Sequence, residues 1–348
     1  MLRIQELQVT YGDHQVIKGV DISLSRGESL GVVGESGAGK TTLALSLMGL
    51  GSGVARGRVV FKGQELLPLR ADMMRKLRWN HISMVFQNTA QALNPVIPVV
   101  HQIMEPMLEH KVYGPENARE RTRKLLERVG LSWEQAHSYP HQLSGGERQL
   151  AIIAMSLSND PDLLILDEPT ASLDAVSKVR ILALLDELRA ERTIILLTHD
   201  FSVASALTDR LAVMYSGRLV ESGDTTRVIK DPRHPYTRGL LRSFPDMSTT
   251  KDLQGISGKG IEVGEGCPFS PRCSQRIETC RQVLPQLRVI EDREIACHQG
   301  GIISLLEVEG LSKHFGAIQA LNEASFTLYE GETLAVVGET GSGKTTLA

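Results

Sequence analysis

A glycine-rich loop near the N-terminus combines the residue types that can cradle a phosphate group. The loop reads GESGAGKTT and runs from Gly34 to Thr42. Its glycines let the backbone curl so that successive N–H groups point toward phosphate oxygens. They stand at Gly34, Gly37 and Gly39. The loop therefore predicts an anion site built largely from backbone donors.

Two side chains at the end of this loop add charge and a metal ligand. Lys40 can reach the β- and γ-phosphates of a nucleotide, and Thr41 can ligate Mg²⁺. The loop follows the apolar run Ser29–Val33 and precedes the apolar-rich segment Leu43–Leu50. A strand, such a loop and a helix whose N-terminus adds positive potential predict a P-loop rather than a chance glycine turn.

A second stretch, LLILDEP at Leu163–Pro169, ends an apolar strand in two carboxylates. Asp167 suits coordination of Mg²⁺ through water, and Glu168 suits the general base that activates an attacking water. His199 ends the next apolar strand, where the edge beside a P-loop would let it bond a γ-phosphate. A capping acid pair and a structural histidine are the alternatives.

A third stretch, LSGGERQLAIIAMSL at Leu143–Leu157, places small residues just before a helix. Its apolar residues fit the spacing of one helical face. Small residues at a helix N-terminus can form a phosphate-binding surface, although a plain helix cap would also explain them. The position shortly before LLILDEP favours phosphate binding. The small residues are Ser144, Gly145 and Gly146.

Length, hydrophobic fraction and net charge indicate which class of protein the chain belongs to. The chain has 348 residues, 41% of them hydrophobic and 23% charged, which suggests about two globular domains. A formal charge of −3 argues against a general nucleic-acid-binding role. No apolar run approaches the ~18 residues that cross a bilayer, and the N-terminus lacks a signal-peptide core. We therefore expect a cytoplasmic protein that meets a membrane only through a partner.

Periodicity predicts strands alternating with helices, which implies a parallel sheet. Strand patterns cover residues 1–33, 54–66, 162–166 and 193–198. Helical patterns cover residues 99–137 and 176–190. Within the first helical stretch, an apolar stripe comprises Leu125, Leu126 and Val129. The neighbouring arginines are predicted to form a solvated face; they are Arg119, Arg121 and Arg123.

The chain contains an internal repeat. The P-loop recurs as GETGSGKTT from Gly338 to Thr346, and the second loop lysine, Lys344, lies 304 positions after Lys40. Tyr11-Gly12 matches Phe315-Gly316 and Gly27-Glu28 matches Gly331-Glu332 at the same offset, so no insertion separates the copies over this span. We expect one complete nucleotide-binding domain (1–230), an extension (231–302) and the truncated start of a second domain (303–348). The sequence is thus interpreted as a fragment of a tandem protein or as a truncated product of one.

Taken together, the motifs identify a family. GESGAGKTT, Gln87 in MVFQ, LSGGE, LLILDEP, SLD ending in Asp174, and His199 in LLTHD resemble the ATPase subunit of the ABC superfamily in type and order. The resemblance covers residues 1 to about 230. It implies an α/β fold: a P-loop ABC ATPase domain with a RecA-like core, an antiparallel β subdomain and a helical subdomain. A cysteine-containing extension follows.

The resemblance also implies residue roles, with ATP and Mg²⁺ as ligands. Tyr11 would stack on adenine, Gln87 would sense γ-phosphate and metal, and Asp174 would link two sites across a dimer. The implied nucleotide-binding set is Tyr11, Gly34, Gly37, Gly39, Lys40, Thr41, Thr42, Ser144, Gly145, Gly146 and Asp174. The implied catalytic set is Glu168, His199, Gln87 and Lys40, and the Mg²⁺ set is Thr41, Gln87 and Asp167. Two departures are visible, Glu147 in place of the usual glutamine and Leu150 where many members are basic.

The extension narrows the resemblance further. RHPYT at 233–237, the cysteine pattern C-x5-C-x6-C-x16-C and NTAQALNP at Asn88–Pro95 resemble dipeptide and oligopeptide importer ATPases. Some members of that group hold a [4Fe–4S] cluster on these cysteines. Four thiolates suit iron–sulfur or zinc, and unligated thiols are the third possibility. The paired C-x2-C spacing of zinc ribbons is missing, which favours iron–sulfur. The cysteines are Cys267, Cys273, Cys280 and Cys297.

The expected function is ATP hydrolysis that powers import of di- or oligopeptides or a similar small solute. Expected partners are integral membrane permease subunits, a second ABC ATPase domain and, indirectly, a solute-binding protein, with no nucleic acid. The expected location is the cytoplasmic face of the inner membrane, as a peripheral subunit. The alternative is a soluble ABC ATPase that serves an enzyme complex and transports nothing.

Overall fold

The computed structural model describes residues 1–68, 70–87, 92–243, 264–329 and 333–348. The chain divides into two units. The first unit comprises Met1–Asp231 together with Glu291–Glu294. The second unit comprises Pro232–Ile290 together with Ile295–Ala348.

The strands and helices follow in chain order. The strands are β1 Leu2–Tyr11, β2 His14–Leu24, β3 Ser29–Val33, β4 Val54–Phe61, β5 Gln64–Glu65, β6 Ile82–Val85, β7 Leu163–Asp167, β8 Thr193–Thr198, β9 Arg210–Tyr215, β10 Arg218–Asp224, β11 Arg288–Ile290, β12 Arg293–Ile295, β13 Ser304–Phe315 and β14 Ile318–Tyr329. The helices are α1 Lys40–Met48, α2 Ala71–Leu77, α3 Val99–Glu109, α4 Pro115–Val129, α5 Trp133–His137, α6 Gly145–Ser156, α7 Ala175–Glu191, α8 Phe201–Leu207, α9 Thr225–Lys230, α10 Pro235–Arg242, α11 Thr279–Gln282 and α12 Lys344–Leu347.

The alternating N-terminal segment forms an antiparallel sheet in the first unit. Its strand order is β2-β1-β4-β5. The apolar residues that alternate along β1 and β2 are buried, while many of the residues between them are exposed. The strands predicted within 1–33 and 54–66 are therefore confirmed, because burying one face of the pleat needs this period of two.

A largely parallel sheet forms the centre of the first unit. Within the first unit its order runs β12-β10-β9-β3-β8-β7-β6. The pairs from β9 through β3, β8 and β7 to β6 are parallel, and β9 and β10 are antiparallel. Every residue of β3, β7 and β8 is buried, as expected for strands covered on both faces. Because β3, β8 and β7 are neighbours, the segments that follow them meet at one carboxyl edge of the sheet.

Five helices, α3 to α7, supply most of a hydrophobic core beside this sheet. The predicted stripe of Leu125, Leu126 and Val129 is buried in it. The prediction that the neighbouring arginines form a solvated face is only partly correct. Arg119 and Arg123 are exposed, whereas Arg121 is partly buried and reaches the carbonyl of Leu157 at 3.4 Å. Arg121 turns inward because the end of α6 offers it a carbonyl acceptor.

A tight turn between β9 and β10 supports the P-loop. Gly217 donates its N–H to the carbonyl of Ala38 at 3.0 Å and accepts from the N–H of Lys18 at 2.9 Å. Its φ of 82° is left-handed, and a Cβ placed there would lie 2.0 Å from the carbonyl oxygen of Val16. The turn therefore requires glycine for both its conformation and its space.

We expect Gly217→Ala to destabilise the first unit by about 3 kcal/mol and to weaken ATP binding, because the backbone must shift to relieve the collision. Gly63→Ala is a matched control, since Gly63 also has φ 82° but nothing lies within 4 Å of its added Cβ. That control should cost about 1 kcal/mol. Urea unfolding followed by tryptophan fluorescence reports the first unit, which holds both tryptophans, Trp79 and Trp133. Equal losses in the two variants would contradict the collision.

The first unit includes a short segment from much later in the chain. Glu291–Glu294 carries the first two residues of β12, and Arg293 is buried there with Glu221 of β10. The Arg293 Nη1 to Glu221 Oε1 distance is 3.3 Å, and the same nitrogen donates to the carbonyl of Asp231 at 2.6 Å. A buried carboxylate needs such a partner, so this arginine completes the edge of the sheet.

The RHPYT segment forms part of the core of the second unit. His234 caps α10 by accepting from the N–H of Tyr236 at 3.1 Å, and both side chains pack against the ring of Phe269. Burial lowers the pKa of His234 to about 4, so the ring is neutral at physiological pH. These residues therefore serve packing, and their pattern marks a core rather than a site.

The hairpin of β13 and β14 repeats the register of β1 and β2. Leu306 pairs with Leu328 as Leu2 pairs with Leu24, each 304 positions earlier. The apolar side chains differ in burial, since Leu2 is 2% exposed and Leu306 is 47% exposed. Within the described residues, β13 and β14 form a two-stranded sheet on their own. Whether this copy is the start of a second domain stays a prediction.

Candidate functional site

The P-loop follows β3 and folds over its own lysine. Lys40 Nζ donates to the carbonyls of Gly34 at 2.8 Å and Glu35 at 3.1 Å. Gly34 lies so close to β9 that a Cβ there would be 2.2 Å from the carbonyl oxygen of Met214. Gly37 and Gly39 have left-handed φ values of 82° and 106°. These positions require glycine for conformation or space, and their predicted contacts with phosphate stay a prediction.

The lysine lies among the carboxylates that follow β7. Burial lowers the pKa of Lys40, and the charges of Glu168 and Asp167 oppose that shift. The P-loop ammonium and the two carboxylates therefore share one buried electrostatic site. An anion that entered would meet the ammonium on one side and backbone N–H donors on the other.

Asp167 is placed to hold a cation. Its side chain is 1% exposed, and among the described residues its Oδ1 has no hydrogen-bond partner. Its carboxylate accepts a hydrogen bond from Thr41. Burial raises the pKa of Asp167, with Glu168 adding to the shift, while Thr41 and Lys40 oppose it. A buried oxygen without a partner beside a hydroxyl fits the hard oxygen ligands that Mg²⁺ prefers.

The raised pKa of Asp167 predicts a pH dependence. As pH falls, Asp167 takes up a proton at a higher pH than an ordinary aspartate, and the protonated acid cannot ligate Mg²⁺. The gain in ATP affinity that Mg²⁺ provides should therefore shrink from neutral to weakly acidic pH. Titration calorimetry of ATP with Mg²⁺ or with a chelator measures that gain. Asp167→Asn should abolish the gain at every pH, whereas Asp186→Asn on the exposed side of α7 should retain it. A gain that does not change with pH in the unmodified chain would contradict this role.

Glu168 is held in a fixed position beside Lys40. Its Oε1 lies 2.7 Å from Nδ1 of His199, and the hydroxyl of Thr198 donates to its Oε2 at 3.3 Å. The backbone of Glu168 is left-handed, with φ 48°. A strained non-glycine residue at the end of a strand is typical of functional sites. The structure thus brings Lys40, Thr41, Asp167, Glu168 and His199 together.

The small residues of the third motif form the N-terminus of α6. Ser144 is the helix cap, and its hydroxyl oxygen accepts from the N–H of Glu147 at 3.2 Å. Asp174 caps α7 through Ser177, whose hydroxyl would lie 2.4 Å from a Cβ on Gly146. The structure therefore places Asp174 beside the turn of Ser144, Gly145 and Gly146.

For two residues predicted to contact the nucleotide, Gln87 and Tyr11, the structure gives the position but not the contact. Gln87 is exposed two residues after β6, whose parallel neighbour β7 ends in Asp167. Tyr11 ends β1, and its ring faces Gly51 and Gly53 in the segment after α1. Residues 88–91 of the predicted NTAQALNP stretch lie outside the described residues. The roles of Gln87 and Tyr11 stay predictions.

The four cysteines belong to the second unit and interact electrostatically with one another. The N–H of Cys267 donates to the carbonyl of Cys280 at 2.8 Å. Burial raises the pKa of Cys273 to about 12 and raises those of Cys267 and Cys297. Within the part of the chain that the structure describes, no group of three or more His, Cys, Asp or Glu side chains is arranged to hold a metal ion.

Comparison with known proteins identifies the family. The profile of the ABC transporter family matches residues 17–171 and 321–348, which together make up more than half of the chain. The chain belongs to the ABC transporter ATPase family. A second profile, the C-terminal region of oligopeptide/dipeptide transporters, matches residues 220–280. As an ABC ATPase, the protein binds and hydrolyses ATP, and Mg²⁺ is the cation expected at Asp167 and Thr41.

Curated relatives of this ABC ATPase span most of its length. The dipeptide transport ATP-binding protein DppD of Bacillus subtilis is 39% identical over 308 residues, 84% of this chain and 92% of that protein. The oligopeptide transport ATP-binding protein OppD of Escherichia coli K12 is 38% identical over 311 residues, 85% of this chain and 92% of that protein. The OppD of Mycobacterium tuberculosis is 35% identical, and 99% of this chain covers 65% of that protein.

Solved structures show the same cassette fold. A dimeric post-hydrolysis state of the ATP-binding cassette MJ0796 bound to ADP and phosphate has a TM-score of 0.59 and 28% identity, over 65% of this chain and 99% of that chain. The cbiO1 protein of Clostridium perfringens has a TM-score of 0.58 and 30% identity, over 66% and 90%. The predicted ABC ATPase fold is therefore confirmed. No helix among the described residues is long and apolar enough to cross a membrane.

One residue of this ABC ATPase site was not singled out from the sequence. Thr198 donates to Glu168 and also accepts from the N–H of Asp200 at 3.0 Å. It therefore ties the end of β8 to the proposed base. Its place directly before His199 is the sequence signal that could have identified it.

Proposed function

We propose that this ABC ATPase is the ATP-hydrolysing subunit of an importer for dipeptides, oligopeptides or a similar small solute. The observation that carries the proposal is one chain with both a complete P-loop site and a match to the C-terminal region of oligopeptide/dipeptide transporters. The names of relatives that align over most of their length support the same substrate class.

The geometry supports an order of events in which two ATPase domains close over two ATP molecules. Lys40 and the P-loop N–H groups hold the phosphates, and the turn of Ser144 to Gly146 in the opposite domain completes each site. Thr41, Asp167 and Gln87 would hold Mg²⁺, which when bound would supply charge neutralisation for phosphoryl transfer. Glu168, oriented by His199, takes a proton from the attacking water.

The surface after Gln87 supports docking of a permease. Val96 is 76% exposed, and its loop is preformed because buried Gln102 accepts from the N–H of Asn94 at 2.8 Å and donates to the carbonyl of Ile97 at 2.7 Å. With the adjacent Ile97, which is 36% exposed, Val96 forms an apolar surface held outward by buried hydrogen bonds, which suits a protein partner. The proposed location is therefore peripheral, at the cytoplasmic face of a membrane beside permease subunits.

The test is affinity purification of the full chain carrying Glu168→Gln from native membranes with MgATP, followed by identification of what accompanies it. We expect two multi-span membrane proteins, and cells with these components should take up a labelled dipeptide or oligopeptide only when Glu168 is intact. Val96→Asp should lose the membrane partners and keep ATP binding. Val289→Asp, at a similarly exposed valine of the second unit, is the control.

Soluble enzymes recovered in place of membrane proteins would overturn the importer proposal and favour an accessory of an enzyme complex. If membrane proteins are recovered but the cells do not take up the peptide, the protein is still a transporter subunit, and its solute is not a peptide.

The cysteines carry a separate proposal. Their grouping in the second unit supports ligation of a [4Fe–4S] cluster, with zinc and free thiols as alternatives. Because burial raises the thiol pKa values, loading must displace protons. Iron, zinc and acid-labile sulfide analysis of protein purified without oxygen decides among the three, and protein without metal or sulfide would assign free thiols.

A further inference from the structure

A chain of hydrogen bonds runs from the start of α5 to the start of α6. The N–H of Ser132 donates to Oε1 of Gln135 at 2.8 Å. The amide Nε2 of Gln135 donates to Oε1 of Glu147 at 2.5 Å. The N–H of Ser144 donates to Oε2 of the same carboxylate at 2.7 Å. One orientation of the Gln135 amide satisfies both of its contacts.

These hydrogen bonds also fix Ser144. Its backbone N–H is bound to Glu147, and its hydroxyl oxygen accepts from the N–H of Glu147 at 3.2 Å. Ser144 is therefore fixed to Glu147 through both its backbone and its side chain. Hydrogen bonds from Ser144 also lower the pKa of Glu147, which keeps the carboxylate ionised and accepting.

Neighbouring groups stabilise the negative charge of the Glu147 carboxylate. A negative charge beside a phosphate site would weaken anion binding. Here both carboxylate oxygens accept hydrogen bonds from the chain, and the nearby positive charge of Arg180 favours the ionised form. The amide of Gln135 donates to Glu147 while adding no charge of its own.

The helix that carries Gln135 is itself anchored. The guanidinium groups of Arg119 and Arg123, on α4, lie 5.5 Å and 4.8 Å from the ring centre of Trp133. Such cation–π contacts fix α5 on α4. The position of Gln135 is thus fixed by packing. A fixed Gln135 can in turn hold the turn at Ser144 in place.

We propose that Gln135 is a positioning residue for the turn of Ser144 to Gly146: by holding Glu147, to which Ser144 is hydrogen-bonded, it fixes the turn that meets the phosphates of a nucleotide bound in a second ATPase domain. The inference rests on the proposed function, since it needs this turn to act across a dimer. It does not require Gln135 to touch ATP.

The test uses the full chain carrying Glu168→Gln, which should accumulate as an ATP-bound dimer. Sedimentation with MgATP measures dimer affinity, and fluorescent ATP at low protein concentration measures binding to the monomer's own P-loop. Adding Gln135→Leu should raise the dimer dissociation constant by about 10-fold, as expected for one hydrogen bond to a charged group. Monomer ATP affinity should stay unchanged.

An exchange variant separates positioning from general damage. Gln135→Glu alone places two carboxylates together and should weaken the dimer as much as Gln135→Leu. Combining it with Glu147→Gln restores one amide and one carboxylate in exchanged positions, and should bring dimer affinity back to within about 3-fold of the parent. Ser132→Ala removes a cap of α5 without touching Glu147 and should leave dimer affinity unchanged.

The outcomes distinguish the two proposals. A parent chain that does not dimerise with MgATP overturns the proposed use of the turn across a dimer, and this inference with it. A dimerising parent whose affinity is unaffected by Gln135→Leu, or an exchange variant that remains as weak as Gln135→Glu, overturns the role of Gln135 alone.

Discussion

Replacing Glu168 by glutamine is expected to lower ATP turnover by ~10²–10⁴ while ATP binding is retained. The carboxylate is 9% exposed and is held by His199 and Thr198, so it can accept a proton only in one orientation. An amide of the same shape keeps the packing but removes the base. Phosphate release with saturating MgATP measures turnover, and a filter assay measures bound ATP.

Glu187→Gln provides the matched control, since it makes the same chemical change on the exposed side of α7. It should hydrolyse ATP at the rate of the unmodified chain. A Glu168→Gln protein that turns over at this control rate would show that another group activates the water. Loss of ATP binding in Glu168→Gln would instead indicate that the side chain supports the P-loop through Lys40.

Replacing Arg293 by methionine is expected to destabilise the first unit by about 3–5 kcal/mol. The arginine is 5% exposed and lies 3.3 Å from Glu221, which is fully buried. Its removal takes the cationic partner from a carboxylate that water cannot reach. The loss should appear as a lower urea midpoint in tryptophan fluorescence, because both tryptophans lie in the first unit.

A double variant identifies the cause of that loss. Adding Glu221→Met to Arg293→Met removes the charge left behind, and we expect most of the stability to return. Arg227→Met, which breaks the exposed pair of Arg227 with Asp292, should hardly move the midpoint. If the double variant is no more stable than Arg293→Met, the loss comes from packing and the electrostatic explanation is wrong.

The central elements were predictable because their signals are local. The wholly apolar runs at β3, β7 and β8 can be buried only as inner strands of a parallel sheet. Parallel strands bring their carboxyl ends to one edge, which is why Lys40, Asp167 and His199 meet although they are far apart in the chain. The bounds of β8 agree with the predicted strand at 193–198.

Other features depend on partners that no local pattern names. The pairing of Gln135 with Glu147 joins two polar residues whose types would suit any exposed helix. From the sequence alone, Arg293 is indistinguishable from an ordinary surface arginine, and only the structure places Glu221 beside it. Leu2 and Leu306 occupy equivalent places in the repeat but differ in burial, because β4 pairs with β1 whereas the described residues contain no such neighbour for β13. Whether this leucine is buried therefore depends on the strand that pairs beside it and not on the sequence of its own strand.

The late arrival of Arg293 has a consequence for biosynthesis. About 60 residues separate Asp231 from Glu291. A ribosome adds roughly 5–20 residues per second, so this interval lasts about 3–12 s. During that time the nascent ATPase unit holds Glu221 at an open sheet edge without its arginine. Chaperones that bind exposed strands, or misassembly with another nascent chain, would act on the protein in this window, before the polypeptide that closes the edge has left the ribosome.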